Sequence, residues 1–533
     1  MENEMEKELE KGLAEKKTVG SGQIRAWIVN IYLVIMLGIY PLFLVNGYMD
    51  LVYKKWAMFL YVTAVALLIS LIWGQAGGMW KKERANWLPM DWFVLAYFIC
   101  VVISFAGAAD KRTSLWGIET WYTGFVAQVL FVGIYFMVSL GYKKMPYLGG
   151  IGAAAGVITG IMIILQRFGI DVLHLYRGFG DDVKENFVAA LGQVTWTSSY
   201  LSILLAAGLG IYFCTAERKR RGWLGICIGV GFAAEMVLNC DSGIITLIAA
   251  VMIMIWLAVG NRERIMRILE IMLIALAAAA AVGIGERAFG GRMVAIDDIY
   301  LKVAQNVFIY PAMAVLALFY WLIKREKIHI IGNRKWTFAI RGIFLGIVCL
   351  GIAAVAVLFV VHGKGYFSGS PTENYFRFTV WWGNSRGFIW RVGAAVFGDF
   401  GIWRKLFGCG PDGFTPYAYQ LMGDAINEFW HNQLVPNVHN EWFNAVINYG
   451  LIGGLAYLGI FVSSAYACMK SALAEKEGKR IGDAAVFGAG LAAAGYIAHN
   501  VLCYQQIIGT PLIFVLIGIG AAKMRQERCD REG

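Results

Sequence analysis

The chain of 533 residues is 59% hydrophobic and only 16% charged, where an ordinary soluble domain carries about 25% charged residues. That balance excludes a disordered chain, a disulfide scaffold and a typical cytosolic enzyme, and it predicts a polytopic membrane protein. The net charge of +11 is weak evidence for nucleic acid, because Lys and Arg beside membrane spans serve to orient the chain.

Residues 1–25 are rich in Glu and Lys and no small-residue cleavage pattern follows them, so they read as a cytoplasmic tail rather than a cleaved signal peptide. Apolar runs long enough to cross about 30 Å of hydrocarbon follow at 26–46, 56–74, 89–109, 121–141, 147–166, 197–214, 222–239, 243–260, 267–284, 306–323 and 341–361. A polar segment of about 79 residues, 362–440, interrupts the series before three last runs at 442–467, 485–503 and 507–522 and a basic tail at 523–533. The expected fold is an all-α bundle of about 12–14 spans, divided as 26–361, a long outer loop at 362–440 that carries short interfacial helices, and 441–522. The nine cysteines show no C-x-x-C spacing and read as small apolar residues.

With the N-terminus placed inside, 31 of the 47 Lys and Arg fall in inner segments and six of the other 16 lie in 362–440. The positive-inside rule therefore puts both termini in the cytoplasm and 362–440 outside. A label at Asp412 should then be reachable from outside and one at Arg220 should not.

The outer segment holds the densest set of reactive side chains. Asn384 and Ser385 are helix-opening residues, and a short amphipathic helix after them puts Arg386 and Trp390 on one face, with Arg391 next in sequence. A guanidinium at head-group level suits a pyrophosphate, whose oxygens it pairs with two at a time. Leu406–Phe414 is a Gly/Pro turn cluster in which Gly408 and Gly410 allow close backbone approach, either to a ligand or in a tight re-entrant turn. Asn437–Gly454 runs from polar residues, His439, Asn440 and Glu441 among them, straight into a span. A histidine at the mouth of a span is chemically able to take a proton from a hydroxyl, although a hydrogen-bonded cap is the commoner role.

The order Arg386-Gly-x-x-Trp390, then Leu406-Phe-Gly-Cys-Gly-Pro-x-x-Phe414, then His439-Asn-Glu-Trp-Phe-Asn-Ala-Val-Ile-Asn-Tyr-Gly-Leu-Ile-Gly-Gly454 resembles the O-antigen ligase-like family of bacterial membrane glycosyltransferases. That family includes O-antigen ligases, O-antigen polymerases and protein O-oligosaccharyltransferases. Upstream, Leu115–Gly124 and Leu191–Trp196, which contains Gln193, resemble two further stretches of it. The resemblance implies a GT-C-like bundle that transfers a glycan from undecaprenyl pyrophosphate to an acceptor hydroxyl outside the cytoplasmic membrane, the acceptor being a glycan or lipid-linked. It implies His439 as general base and Arg386 as the pyrophosphate contact, with Arg391, Trp390, Asn440, Glu441, Gly408, Gly410 and Gln193 as candidate substrate-binding residues. One departure is the absence of an arginine in Asn239–Gly243, where the family often has Ser-Arg-Gly; Arg391, Arg177, Arg287 or Arg292 would have to supply that charge.

No metal or other cofactor is expected. The first outer loop offers only Asp50, and the acid pairs Asp181–Asp182 and Asp297–Asp298 read as solvated turns. Two other classes remain open: a lipid-linked oligosaccharide flippase or transporter, which should show two related halves, and a protein that binds such a glycan without catalysis.

Overall fold

The computed structural model describes residues 22–76, 86–289, 293–294, 298–327, 333–366, 368–370, 373–476, 479–480 and 483–532. Most of the N-terminal tail lies outside them. In hydrocarbon a backbone must satisfy its own N–H and C=O groups, and each of the fourteen apolar runs accordingly lies on a helix. These are α1 (Gly22–Leu42), α2 (Leu51–Ala76), α3 (Pro89–Gly107), α4 (Phe125–Gly141), α5 (Leu148–Arg167), α6 (Val194–Cys214), α7 (Arg218–Leu238), α8 (Asp241–Ala258), α9 (Arg262–Phe289), α10 (Ile309–Lys324) and α11 (Arg334–Gly363). Within the long segment lie α12 (Trp382–Asp399) and α13 (Phe414–Trp430), followed by α14 (Glu441–Ala472), α15 (Ala484–His499) and α16 (Gly509–Glu532). Ten of the described helices are long and apolar enough to cross a membrane, so this is a multi-pass membrane protein. Two hairpins of two-residue strands, Phe187–Val188 with Gly192–Gln193 and Glu475–Lys476 with Lys479–Arg480, are the only strands among the described residues.

Most of α6 is buried at the centre of the bundle, whereas no residue of the apolar stretch of α11 is. The centre closes through small residues: a Cβ on Gly210 of α6 would lie 2.8 Å from the Cα of Gly488 on α15. Such close approach lets membrane helices gain dispersion contacts where no hydrophobic drive separates them from lipid. At the end bearing most of the basic loops, Arg525 pairs with Asp91 at 2.5 Å and Lys523 with Asp483 at 2.5 Å, and Arg267 holds both Glu263 and Glu270.

The opposite end collects 108–124, 187–193, 400–440 and 500–508, and three features there differ from the sequence reading. First, 382–447 is more than an interfacial loop. It has its own apolar core of Ile389, Val392, Val396, Phe400, Phe414, Ala418, Ile426, Val435 and Val438, closed by Ile447 of α14. Second, the turn glycines approach protein. Gly450 (φ +73°, ψ 178°) breaks α14, and the carbonyls of Ile447 and Asn448 beside the break accept the N–H groups of Cys409 and Gly410 at 3.1 Å each. A Cβ on Gly408 would lie 2.2 Å from the Asn448 carbonyl oxygen. Third, the last two spans are joined by nine residues, 500–508, where the apolar pattern allowed three. Cys503, Tyr504, Gln505, Gln506, Ile507 and Ile508 of this connection are all buried.

Buried non-helical backbone is stable only if its polar groups are met by protein. Here the Gln505 N–H donates to Glu441 Oε2 at 2.6 Å, and the Gln505 side chain joins Gln128 at 2.6 Å and the Tyr457 hydroxyl at 3.0 Å. Gln506 Oε1 accepts from the N–H groups of Ile508 (2.7 Å) and Gly509 (2.8 Å).

Candidate functional site

The 500–504 backbone is the floor on which the site is assembled. Helical geometry in α12 begins at Arg386, because Gly383, Asn384 and Ser385 all stand in the left-handed region with φ of +60°, +57° and +68°. This left-handed turn replaces the expected cap. It aims Arg386 back over its own turn: Nη1 donates to the Gly383 carbonyl at 2.7 Å, Nη2 donates to the Leu502 carbonyl at 2.9 Å, and Nε is buried without a partner. One helical turn on, Trp390 Nε1 donates to the Val438 carbonyl at 3.0 Å and so fixes the residue that precedes His439.

His439 is itself left-handed, with φ +53°. Non-glycine residues held there store of order 1 kcal/mol or more, and this one is held by its N–H donating to Asn437 Oδ1 at 2.9 Å. Its Nδ1 lies 3.3 Å from the Asn437 carbonyl. A carbonyl only accepts, so the proton belongs on Nδ1 and the lone pair on Nε2. Burial, reinforced by the Arg386 charge and opposed by the bond to Asn437, lowers the imidazole pKa from its ordinary 6.5 to about 4. The ring is neutral near pH 7.

Tyr504 backs the imidazole edge-to-face with ring centroids 5.1 Å apart. Its hydroxyl donates to Gln193 Oε1 at 3.2 Å and accepts from Trp196 Nε1 at 3.3 Å, and Trp121 packs on its ring at 4.8 Å. The structure thus brings Arg386, His439 and Gln193, from three distant parts of the sequence, around Leu502 and Tyr504, with Trp390 bonded to the carbonyl that precedes His439.

Of the remaining predicted residues, Asn440, Glu441, Gly408 and Gly410 contact protein. Asn440 caps α14 by accepting the Phe443 N–H at 3.0 Å and donates from Nδ2 to the Val501 carbonyl at 2.9 Å. Glu441, fully buried, donates its N–H to the Asn500 carbonyl at 2.9 Å while its side chain holds Gln505. Gly408 and Gly410 serve the α14 break. Arg391 is exposed and, five positions beyond Arg386, is turned about 140° from it. Of the other arginines, Arg177 lines a separate cavity of about 410 Å³ with Asn46 and His174, Arg287 donates to the Gln305 carbonyl at 2.7 Å, and Arg292 lies outside the described residues, as does Asp297.

Sequence reading passed over Tyr504 altogether, and it gave no site role to Trp121, Trp196 or Asp412 although they lie in the 115–124, 191–196 and 406–414 stretches. Asp412 is buried, which makes it unsuitable for a labelling probe. Its carboxylate accepts the Ile118 N–H at 3.1 Å, the Thr123 N–H at 3.2 Å and the Thr123 hydroxyl at 2.6 Å, tying the Gly/Pro turn to the 115–124 stretch. Burial raises its pKa against these bonds. One available signal was the Gln505–Gln506 pair, two amides inside an otherwise apolar run.

No protein-family model and no curated protein matches the chain.

Proposed function

We propose that the protein transfers an oligo- or polysaccharide from undecaprenyl pyrophosphate to an acceptor hydroxyl, as a polymerase or ligase of cell-surface polysaccharide at the outer face of the cytoplasmic membrane. The observation that carries this reading is the meeting of Arg386 and His439 over one buried loop, where the imidazole is neutral and near enough to the guanidinium for that charge to lower its pKa. Nε2 of His439 accepts the proton of the acceptor hydroxyl as its oxygen attacks C1 of the donor sugar. The bond from C1 to the pyrophosphate oxygen breaks, and Arg386 meets the charge left on that oxygen. Tyr504, held by Gln193 and Trp196, keeps the imidazole from swinging away.

Support for the outer location comes from the distribution of Lys and Arg, and support for the donor class comes from the resemblance of the Arg386, Leu406–Phe414 and His439 segments, which pack together. The test is transfer by purified protein supplied with undecaprenyl-pyrophosphate oligosaccharide and acceptor. His439→Ala should lower turnover by about 10²–10⁴, the scale of general base catalysis, with donor binding retained. Arg386→Lys keeps charge but loses the fork, so both donor affinity and turnover should fall. Full activity of His439→Ala per folded molecule ends the proposal.

A further inference from the structure

Glu235 sits in the last turn of α7, fully buried, in a helix long and apolar enough to cross a membrane. Its Oε2 accepts the Ser198 hydroxyl at 3.1 Å, and its Oε1 has no partner. No Lys or Arg pairs with it among the ion pairs of the described residues. One turn along α6 from Ser198, on the same face, the Ser202 hydroxyl is also buried and unpartnered. Room for the carboxylate comes from Gly243 at the start of α8, where a Cβ would lie 2.3 Å from Glu235 Oε2 and 2.4 Å from Ser198 Oγ.

An ionised carboxylate in such a place is costly unless its charge is balanced, and the carbonyl end of its own helix adds further negative potential. A single proton would satisfy one lone pair and leave the other oxygens as they are. A cation satisfies several oxygens at once. One carboxylate with neutral hydroxyls balances one positive charge, whereas a divalent ion would leave a net charge in the bundle. We infer that Glu235, Ser198 and Ser202 form a binding site for a dehydrated monovalent cation of the sodium class, a ligand class met by oxygen donors. The site lies one layer below the transfer site. Ser242 of α8 bonds His499 at 3.1 Å, and the next residue, Asn500, gives its carbonyl to Glu441. Cation binding therefore braces the helix ends that carry the 500–504 floor.

The test uses the full-length purified protein in detergent and sodium as the probe. Thermal unfolding should shift upward, saturably, in sodium chloride relative to choline chloride at equal ionic strength, and radioactive sodium should bind one per chain. Glu235→Gln removes the charge that needs balancing, so it should unfold in choline at or above the wild-type temperature and show no sodium shift. Ser202→Ala, which removes one neutral oxygen, should raise the half-saturating sodium concentration by about tenfold, the equivalent of 1.4 kcal/mol. Equal unfolding temperatures in sodium and choline would overturn the site, as would a sodium shift that survives in both variants. A wild-type response to pH alone would assign the charge balance to a proton and overturn it too.

Discussion

At the scale of the residue, the decisive quantity is the proton affinity of His439. Its pKa in the free protein is lowered to about 4 by burial and by Arg386, so the basic form is present at all higher pH and is lost only as pH falls through that value. The acid limb of kcat/KM, which reports the free protein, should therefore fall near pH 4 rather than near the ordinary ~6.5. A bound pyrophosphate favours the imidazolium, so the acid limb of kcat should lie at higher pH than that of kcat/KM. Coincident limbs at or above pH 6.5 would contradict the assignment. Asp412 makes a different prediction, because its three accepted bonds are buried. Asp412→Ala leaves the buried N–H groups of Ile118 and Thr123 without their acceptor, and the folded state should lose about 1–3 kcal/mol. That appears as a lower unfolding temperature, with turnover per folded molecule kept.

At the scale of the element, the break in α14 rests on two glycines whose backbones lie in a region open to glycine alone. Gly408 has φ +83° and ψ −174°, and Gly450 has φ +73° and ψ 178°. Either Gly→Ala change sets a Cβ 2.2 Å from opposing backbone atoms, so both variants should yield little monodisperse protein on gel filtration, and normal yields would refute the packing described. The helices built on apolar runs were legible in sequence because lipid imposes such a run on each, with errors at the ends only, whereas α13 carries no such run and was not read. Phe43, Leu44 and Val45 extend the hydropathy of α1 past its last residue, Leu42. The joint at 500–508 was not legible for the same reason: Val501, Leu502, Cys503, Ile507 and Ile508 are apolar enough to pass for helix. Arg386 and His439 stood out by residue type and setting. Tyr504 did not, since a lone tyrosine in an apolar run carries no sign that its hydroxyl will be held by Gln193 and Trp196, which lie about 310 residues earlier in the sequence.

At the scale of the whole molecule, Asp424 of α13 is exposed and replaces Asp412 as the position that tests which side of the membrane this segment occupies. A cysteine at Asp424 should react with an impermeant thiol reagent on intact cells and one at Arg220 only after permeabilisation; the reverse pattern would invert the topology and remove the proposed activity. The connection between α15 and α16 also constrains biogenesis. Gln505 depends on Gln128 from α4 and Tyr457 from α14, so the joint reaches its final hydrogen bonds only when the last hairpin docks among helices synthesised long before it. Until then the Gln505 amide and its backbone N–H, which Glu441 accepts in the folded chain, face lipid or the insertion machinery. Chains stalled at that stage should be the ones that membrane proteases remove. A Gln505→Leu chain, spared that exposed amide yet unable to close the network, should insert normally and then turn over faster in pulse-chase labelling than the wild type.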